Sequence, residues 1–180
     1  MNEKARWLTA ANVVSFVRLL LTVPIVYALL QEGSLWRWAG LILLLAAAAS
    51  DGLDGYLARS RGEISPLGQL LDPIADKVLS IALLAVLLHQ ALLPPWMFWA
   101  LFVKEALLLL GGAVLLRRGL RVPSARTLGK VATVVLFIGF LMVIAGLSLG
   151  LWVCGTGVIL SLAAGLDYAR EARHLWSTAA

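Results

Sequence analysis

Four aspartates, Asp51, Asp54, Asp72 and Asp76, fall within a stretch of 26 residues and bracket a short basic, glycine-containing loop. On helices, Asp51 and Asp54 are i,i+3 neighbours and Asp72 and Asp76 are i,i+4 neighbours, so each pair projects from one face. The spacing is mirrored about the loop: Asp51 stands eight residues before Arg59, and Asp76 eight residues after Gly68. At a rise of about 1.5 Å per residue, an antiparallel helix pair places both at about 12 Å from the loop ends of the helices, so four carboxylates converge at one depth. Acids gathered in an apolar medium repel one another and resist ionisation, so the arrangement calls for cations. All-oxygen ligation without a nearby His or Cys favours Mg²⁺ or Mn²⁺ over zinc, and a substrate diphosphate would complete the coordination. Two such ions could clamp both sides of a phosphoryl displacement. The alternative is a set of aspartates neutralised by Arg18, Lys77 and Arg59 without catalysis, but ion pairs do not require mirrored spacing.

The elements that must position these acids are long and apolar. A bilayer core about 30 Å thick needs roughly 20 mostly apolar residues per helix. Six runs approach that length: Asn12–Leu30, Trp36–Arg59, Gly68–His89, Trp96–Arg117, Gly129–Gly146 and Leu149–Arg170. Short connections rich in Gly, Pro and Ser separate them, at 31–34, 61–66, 93–95 and 119–124. The expectation is an all-α integral membrane bundle of six transmembrane helices, forming a single domain over residues 1–180, with a short interfacial helix over Asn2–Ala11. A terminus without structure is the alternative for that first segment. With both termini cytoplasmic, eleven Lys and Arg residues lie inside and Arg37 alone outside, which sets the orientation and puts the aspartates on the cytoplasmic side. Arg18, Lys77 and Lys104 fall within apolar runs, where a charge needs a polar cavity or a partner.

Composition agrees. The 180 residues are 61% hydrophobic and 14% charged, and the mean hydropathy is +0.92, so the chain is solvated mainly by lipid. Seven tryptophans, among them Trp7, Trp36, Trp38, Trp96, Trp99 and Trp152, sit near the ends of apolar runs and read as interfacial anchors. The single cysteine, Cys154, excludes an intrachain disulfide and a thiol metal cluster. The first apolar run carries Arg18 and Pro24 and lacks a small-residue cleavage site, so it is expected to be retained.

The pattern Asp51-x2-Asp54-Gly55-x2-Ala58-Arg59-x8-Gly68-x3-Asp72-x3-Asp76 resembles the signature of the CDP-alcohol phosphatidyltransferase family at every fixed position. The six-span layout extends the likeness across nearly the whole chain. The resemblance implies that Asp51, Asp54 and Asp72 bind two Mg²⁺ or Mn²⁺ ions, that Asp76 completes the metal set and serves as general base, and that Gly55, Ala58, Arg59 and Gly68 join Asp54 in binding the CDP group. It also implies a homodimer in a bacterial-type inner membrane, with CDP-diacylglycerol as donor and no nucleic-acid partner. Chemistry supports parts of this independently. Gly55 and Ala58 remove bulk beside two candidate metal ligands, although small residues also permit tight helix packing. Asp76 lies one turn beyond Asp72, near enough to take a proton from an alcohol held beside a metal.

The acceptor is read from dispersed residues. Arg118, Arg126 and Lys130 belong to a basic cluster around the loop between the fourth and fifth spans; it could bind a phosphorylated acceptor or serve as ordinary positive-inside charge. The Gly129-Lys130 pair resembles a segment of bacterial phosphatidylglycerophosphate synthases, whereas Lys104-Glu105 stands where those enzymes more commonly have Arg-Glu. Lys104 and Glu105 could form an internal pair. Asn12, Ser15 and Arg18 recur at i,i+3 along the first span, so that stripe faces the interior, with Asn12 either a helix cap or a substrate contact. The expected reaction is phosphatidyl transfer to glycerol 3-phosphate with release of CMP. Phosphatidylglycerol, inositol phosphate and serine are alternative acceptors, and a transporter is the reading from a different class. Transport requires a polar route to the outer face, and the outer halves of the spans are apolar. His89 and His174 begin no His-x-Lys pattern, which speaks against phospholipase-D-like chemistry.

Overall fold

The computed structural model describes the backbone at residues 10–61, 66–119 and 127–178, and the side chains at 15–50, 75–119 and 127–177. The expected interfacial helix at Asn2–Ala11 lies almost wholly outside the described residues. Six helices follow in order: α1 (Ala10–Leu30), α2 (Ser34–Arg61), α3 (Pro66–His89), α4 (Pro95–Arg117), α5 (Thr127–Ile144) and α6 (Gly150–Thr178). Each expected run is helical. By length and composition, α4, α5 and the stretch Gly150–Ser177 of α6 suffice to cross a membrane, while Ser15–Leu30 and Ser34–Ser50 are shorter apolar segments. The chain divides into two compact units, Met1–Gln90 and Ala91–Ala180.

In the first unit, α1 packs against both α2 and α3. Its buried positions are Ser15, Arg18, Thr22, Ile25, Ala28 and Leu29, which fall along one helical face. Phe16, Val17, Leu20, Val23 and Tyr27 are exposed on the remaining surface. Water would reverse that arrangement. A helix that hides its hydroxyls and guanidinium and presents phenylalanine and leucine is built for lipid on the outside. At the far end, Gln90 donates its side-chain N–H to the Leu29 carbonyl, tying the end of α3 to α1. Gly40 allows α2 to approach α1 there, because a Cβ at that position would meet the Leu29 side chain at 2.5 Å.

The second unit is organised around α6, which packs against α5 and α4. On the α5 side, close approaches pair Val143 with Gly150, Gly139 with Cys154, Leu136 with Gly157, and Gly129 with Ala164. Moving away from the turn, both helices advance by four, three and seven residues, so the seam keeps antiparallel register throughout. Small residues alone permit it: a Cβ on Gly139 would lie 2.8 Å from the Cys154 backbone nitrogen, and one on Gly150 2.6 Å from that of Val143. The turn is a Schellman motif, with Gly146 at φ 82°, its N–H donating to the Val143 carbonyl (3.0 Å) and the Leu147 N–H to that of Met142 (2.9 Å). Between α4 and α6 the contacts Met97–Gly155, Lys104–Ser161 and Arg118–Trp176 keep a nearly constant sequence offset, which marks a parallel pair.

Five exposed tryptophans lie where helices begin. Trp36 and Trp38 fall within the first five residues of α2, Trp96 and Trp99 within those of α4, and Trp152 is the third of α6. Amphipathic rings exposed at a helix start suit the headgroup zone.

Candidate active site

Both halves of the aspartate motif are helical. Asp51, Asp54, Gly55, Ala58 and Arg59 occupy the second half of α2, and Gly68, Asp72 and Asp76 the first half of α3. The helical backbone turns the sequence spacings into real i,i+3 and i,i+4 relations on each helix. The side chains of Asp51, Asp54, Gly55, Ala58, Arg59, Gly68 and Asp72 lie outside the described side chains. Asp76 is described, and so is the helix that touches both carriers, α1.

Asp76 is 56% exposed, yet its Oδ1 lies 2.5 Å from Nη1 of Arg18, which is 2% exposed on α1. Ala75, its neighbour in α3, is fully packed at 1% exposure. Here a carboxylate emerges from a sealed helix contact while one oxygen is held by a buried cation. Lys77, also expected near the acids, follows Asp76 and is half-buried. Among the described side chains no three His, Cys, Asp or Glu residues gather into a metal-holding group. Asp76 is the one member of the quartet that lies among those side chains. The donor chemistry of the quartet, carboxylate oxygens without nitrogen or sulfur, suits hard divalent ions.

The acceptor candidates fall in several places. Arg18 is engaged with Asp76, as above. Asn12 lies inside α1, past its first residue, which removes its alternative role as the cap; its side chain is outside those described. Lys104 is part-buried in α4, where Nζ lies 2.5 Å from Oε1 of Glu105 and donates to Oγ of Ser161 at 2.9 Å. The expected internal pair therefore exists, and it includes a third member that the sequence did not suggest. Gly165, one turn beyond Ser161, accommodates the lysine stem, since a Cβ there would approach Lys104 Cγ at 3.2 Å. Arg118 caps α4, with its guanidinium stacked 3.6 Å over the Trp176 ring. Lys130 is exposed in the first turn of α5, and Arg126 lies outside the described residues. Ser161 and Trp176 are the participants that sequence reasoning missed. Ser161 was detectable only as one of a few hydroxyls in the apolar run of α6.

Comparison with known proteins covers both helical units. The family model described as CDP-alcohol phosphatidyltransferase matches residues 8–164, from before α1 into α6. A Streptomyces coelicolor protein named cardiolipin synthase (CMP-forming) is 37% identical over 169 residues, covering 91% of this chain and 74% of its own. An Aquifex aeolicus protein named CDP-diacylglycerol–glycerol-3-phosphate 3-phosphatidyltransferase is 34% identical over 134 residues, 73% of each chain. A Bacillus subtilis protein of the same name is 38% identical over 95 residues, 53% of this chain and 49% of its own. With the helical aspartate motif, the lipid-facing surface of α1 and three membrane-length helices, these matches establish that the chain is a membrane enzyme belonging to the CDP-alcohol phosphatidyltransferase family.

Proposed function

We propose that the chain transfers the phosphatidyl group of CDP-diacylglycerol to a primary hydroxyl of a glycerol phosphoester and releases CMP. The observation that carries this reading is the helical Asp51–Asp76 motif in a chain whose relatives bear the names of two such transferases. The family resemblance implies dependence on divalent metal. Asp51, Asp54 and Asp72, with Asp76 completing the set, would hold two Mg²⁺ or Mn²⁺ ions. When bound, these ions neutralise the diphosphate and stabilise the charge that develops during displacement.

The chain's own residues do the rest. Asp54, Gly55, Ala58, Arg59 and Gly68 receive the CDP group: the two small residues leave room along α2, and Arg59 supplies a cation for the diphosphate. Asp76 accepts the proton of the acceptor hydroxyl as its oxygen bonds to the phosphatidyl phosphorus. The bond from that phosphorus to the CMP oxygen breaks, and the electron pair leaves with CMP. Lys104, Arg118, Arg126 and Lys130, with Asn12, supply the polar groups available to the acceptor or to lipid phosphates, whereas Arg18, also a candidate by sequence, is engaged with Asp76. The six helices span a bacterial-type inner membrane as one domain, with both termini and the aspartates cytoplasmic and a second copy as partner. Support comes from the Lys and Arg distribution and from the family resemblance.

Glycerol 3-phosphate is the first acceptor, in keeping with the Aquifex and Bacillus relatives and with Gly129-Lys130. A second reading, phosphatidylglycerol, is favoured by the match to the Streptomyces cardiolipin synthase along 91% of the chain. Cardiolipin carries two phosphatidyl groups on one glycerol, so forming it with release of CMP consumes a phosphatidylglycerol hydroxyl. Purified protein given CDP-diacylglycerol, Mg²⁺ and each acceptor in turn, with the lipid identified by mass spectrometry, separates the two. Phosphatidylglycerophosphate supports the first reading and cardiolipin the second. A product formed only with inositol phosphate or serine overturns both.

A further inference from the structure

The two halves of the Arg18–Asp76 pair meet very different surroundings. Arg18 is 2% exposed within the first unit, whereas Asp76 is 56% exposed, and 58 residues separate them in sequence. Packing of α1 on α3 creates the contact, and the buried Ile25, Ala28, Leu29, Leu83, Leu84 and Leu87 of these two helices make the scaffold rigid. A guanidinium sealed among apolar helices is expensive to keep, and its charge points at the one aspartate of the motif whose side chain is described. A residue kept only to bind substrate would present its cation to the cavity; here the carboxylate is the exposed member.

We infer that Arg18 is a positioning residue for Asp76. By holding Oδ1 it selects one side-chain rotamer of Asp76 and so fixes where the carboxylate stands relative to the acceptor hydroxyl. The inference rests on the reading of Asp76 as general base. A free aspartate samples three χ1 wells, and a base must stand within hydrogen-bond reach of the proton it takes. A planar, charge-assisted donor on a packed helix removes that freedom at little cost when the reaction begins. Lysine offers the same charge without the fixed fork and a shorter reach, so it should orient the carboxylate less well.

The test measures kcat and both KM values for wild type, Arg18→Met, Arg18→Lys, Asp76→Asn and the doubles Arg18→Met/Asp76→Asn and Arg18→Lys/Asp76→Asn. Radiolabelled CDP-diacylglycerol keeps slow variants measurable, and Mn²⁺-dependent CDP binding confirms an intact fold. Arg18→Met should lower kcat about 10- to 100-fold with both KM values within about threefold, and Arg18→Lys should recover part of the loss. In the Asp76→Asn background either Arg18 substitution should cost less than about twofold, because the group it orients no longer accepts a proton. Should Arg18→Met not fold, Arg18→Lys in both backgrounds gives the same comparison. A raised acceptor KM at unchanged kcat would make Arg18 a phosphate-binding residue and overturn the inference. So would a loss that multiplies with that of Asp76→Asn, while leaving Asp76 as the base. Wild-type turnover by Asp76→Asn alone would instead remove the base reading, and the inference with it.

Discussion

Adding one methyl group at Gly139 should loosen the second unit, whereas adding it at Gly155 should not. In the seam between α5 and α6, a Cβ on Gly139 would stand 2.8 Å from the Cys154 backbone nitrogen and 3.1 Å from its Cα. That is about 0.6 Å inside ordinary contact, and backbone atoms in a helix cannot swing away as a side-chain end can. The two helices must separate locally, which costs about 1–3 kcal/mol by the usual measure of overpacking. Alanine recovers up to about 1 kcal/mol through its helix propensity, so the net loss is roughly 1–2 kcal/mol. At Gly155 the nearest atom is the flexible Met97 Cε at 3.6 Å, so Gly155→Ala should keep the propensity gain. For a chain of this size the two variants should differ by about 5–10 °C in melting temperature. Thermal unfolding of the purified variants in one detergent, followed by tryptophan fluorescence, reads the difference. A Gly139→Ala protein melting at or above Gly155→Ala would refute the close-packed register of α5 and α6.

Further outcomes follow from the site. Asp51→Asn, Asp54→Asn and Asp72→Asn should each weaken Mn²⁺ and CDP binding together, measured by calorimetry, because the diphosphate is held through the ions. Asp76→Asn should keep most of that binding and lose about 100-fold or more in single-turnover rate. Lys104→Met leaves the part-buried Glu105 without its cation and should cost about 1–3 kcal/mol of stability, whereas the double Lys104→Met/Glu105→Leu should recover most of it. A melting temperature for the double no higher than for the single would show that the two charges are not coupled as a pair.

The sequence exposed the helices and the chemistry more readily than it exposed their partners. Six apolar runs became six helices because length and hydropathy report directly on a lipid-solvated segment. Their ends shifted for a physical reason: α6 continues from Arg170 to Thr178, past the apolar run, since backbone hydrogen bonding does not stop where the membrane does. That extension carries Trp176 under Arg118. Asp76 and Arg18 were each marked as charges needing a partner, but that they choose each other depends on how α1 docks on α3. Ser161 shows the same limit. A serine 57 residues from Lys104 becomes its acceptor only through the parallel register of α4 and α6, which no local pattern encodes. The mirrored spacing of the aspartates was legible because it depends on helix period and a short loop alone.

The most direct test is stoichiometric: CMP released against phospholipid formed, with purified protein, CDP-diacylglycerol and a glycerol phosphoester acceptor, before and after removal of divalent metal. The account predicts one CMP per new phospholipid, loss of both products in EDTA, recovery with Mg²⁺ or Mn²⁺, and loss again in Asp51→Asn and Asp72→Asn at ordinary metal concentrations. Undiminished phospholipid synthesis in metal-free buffer, or by those two variants, would contradict a metal-dependent aspartate centre.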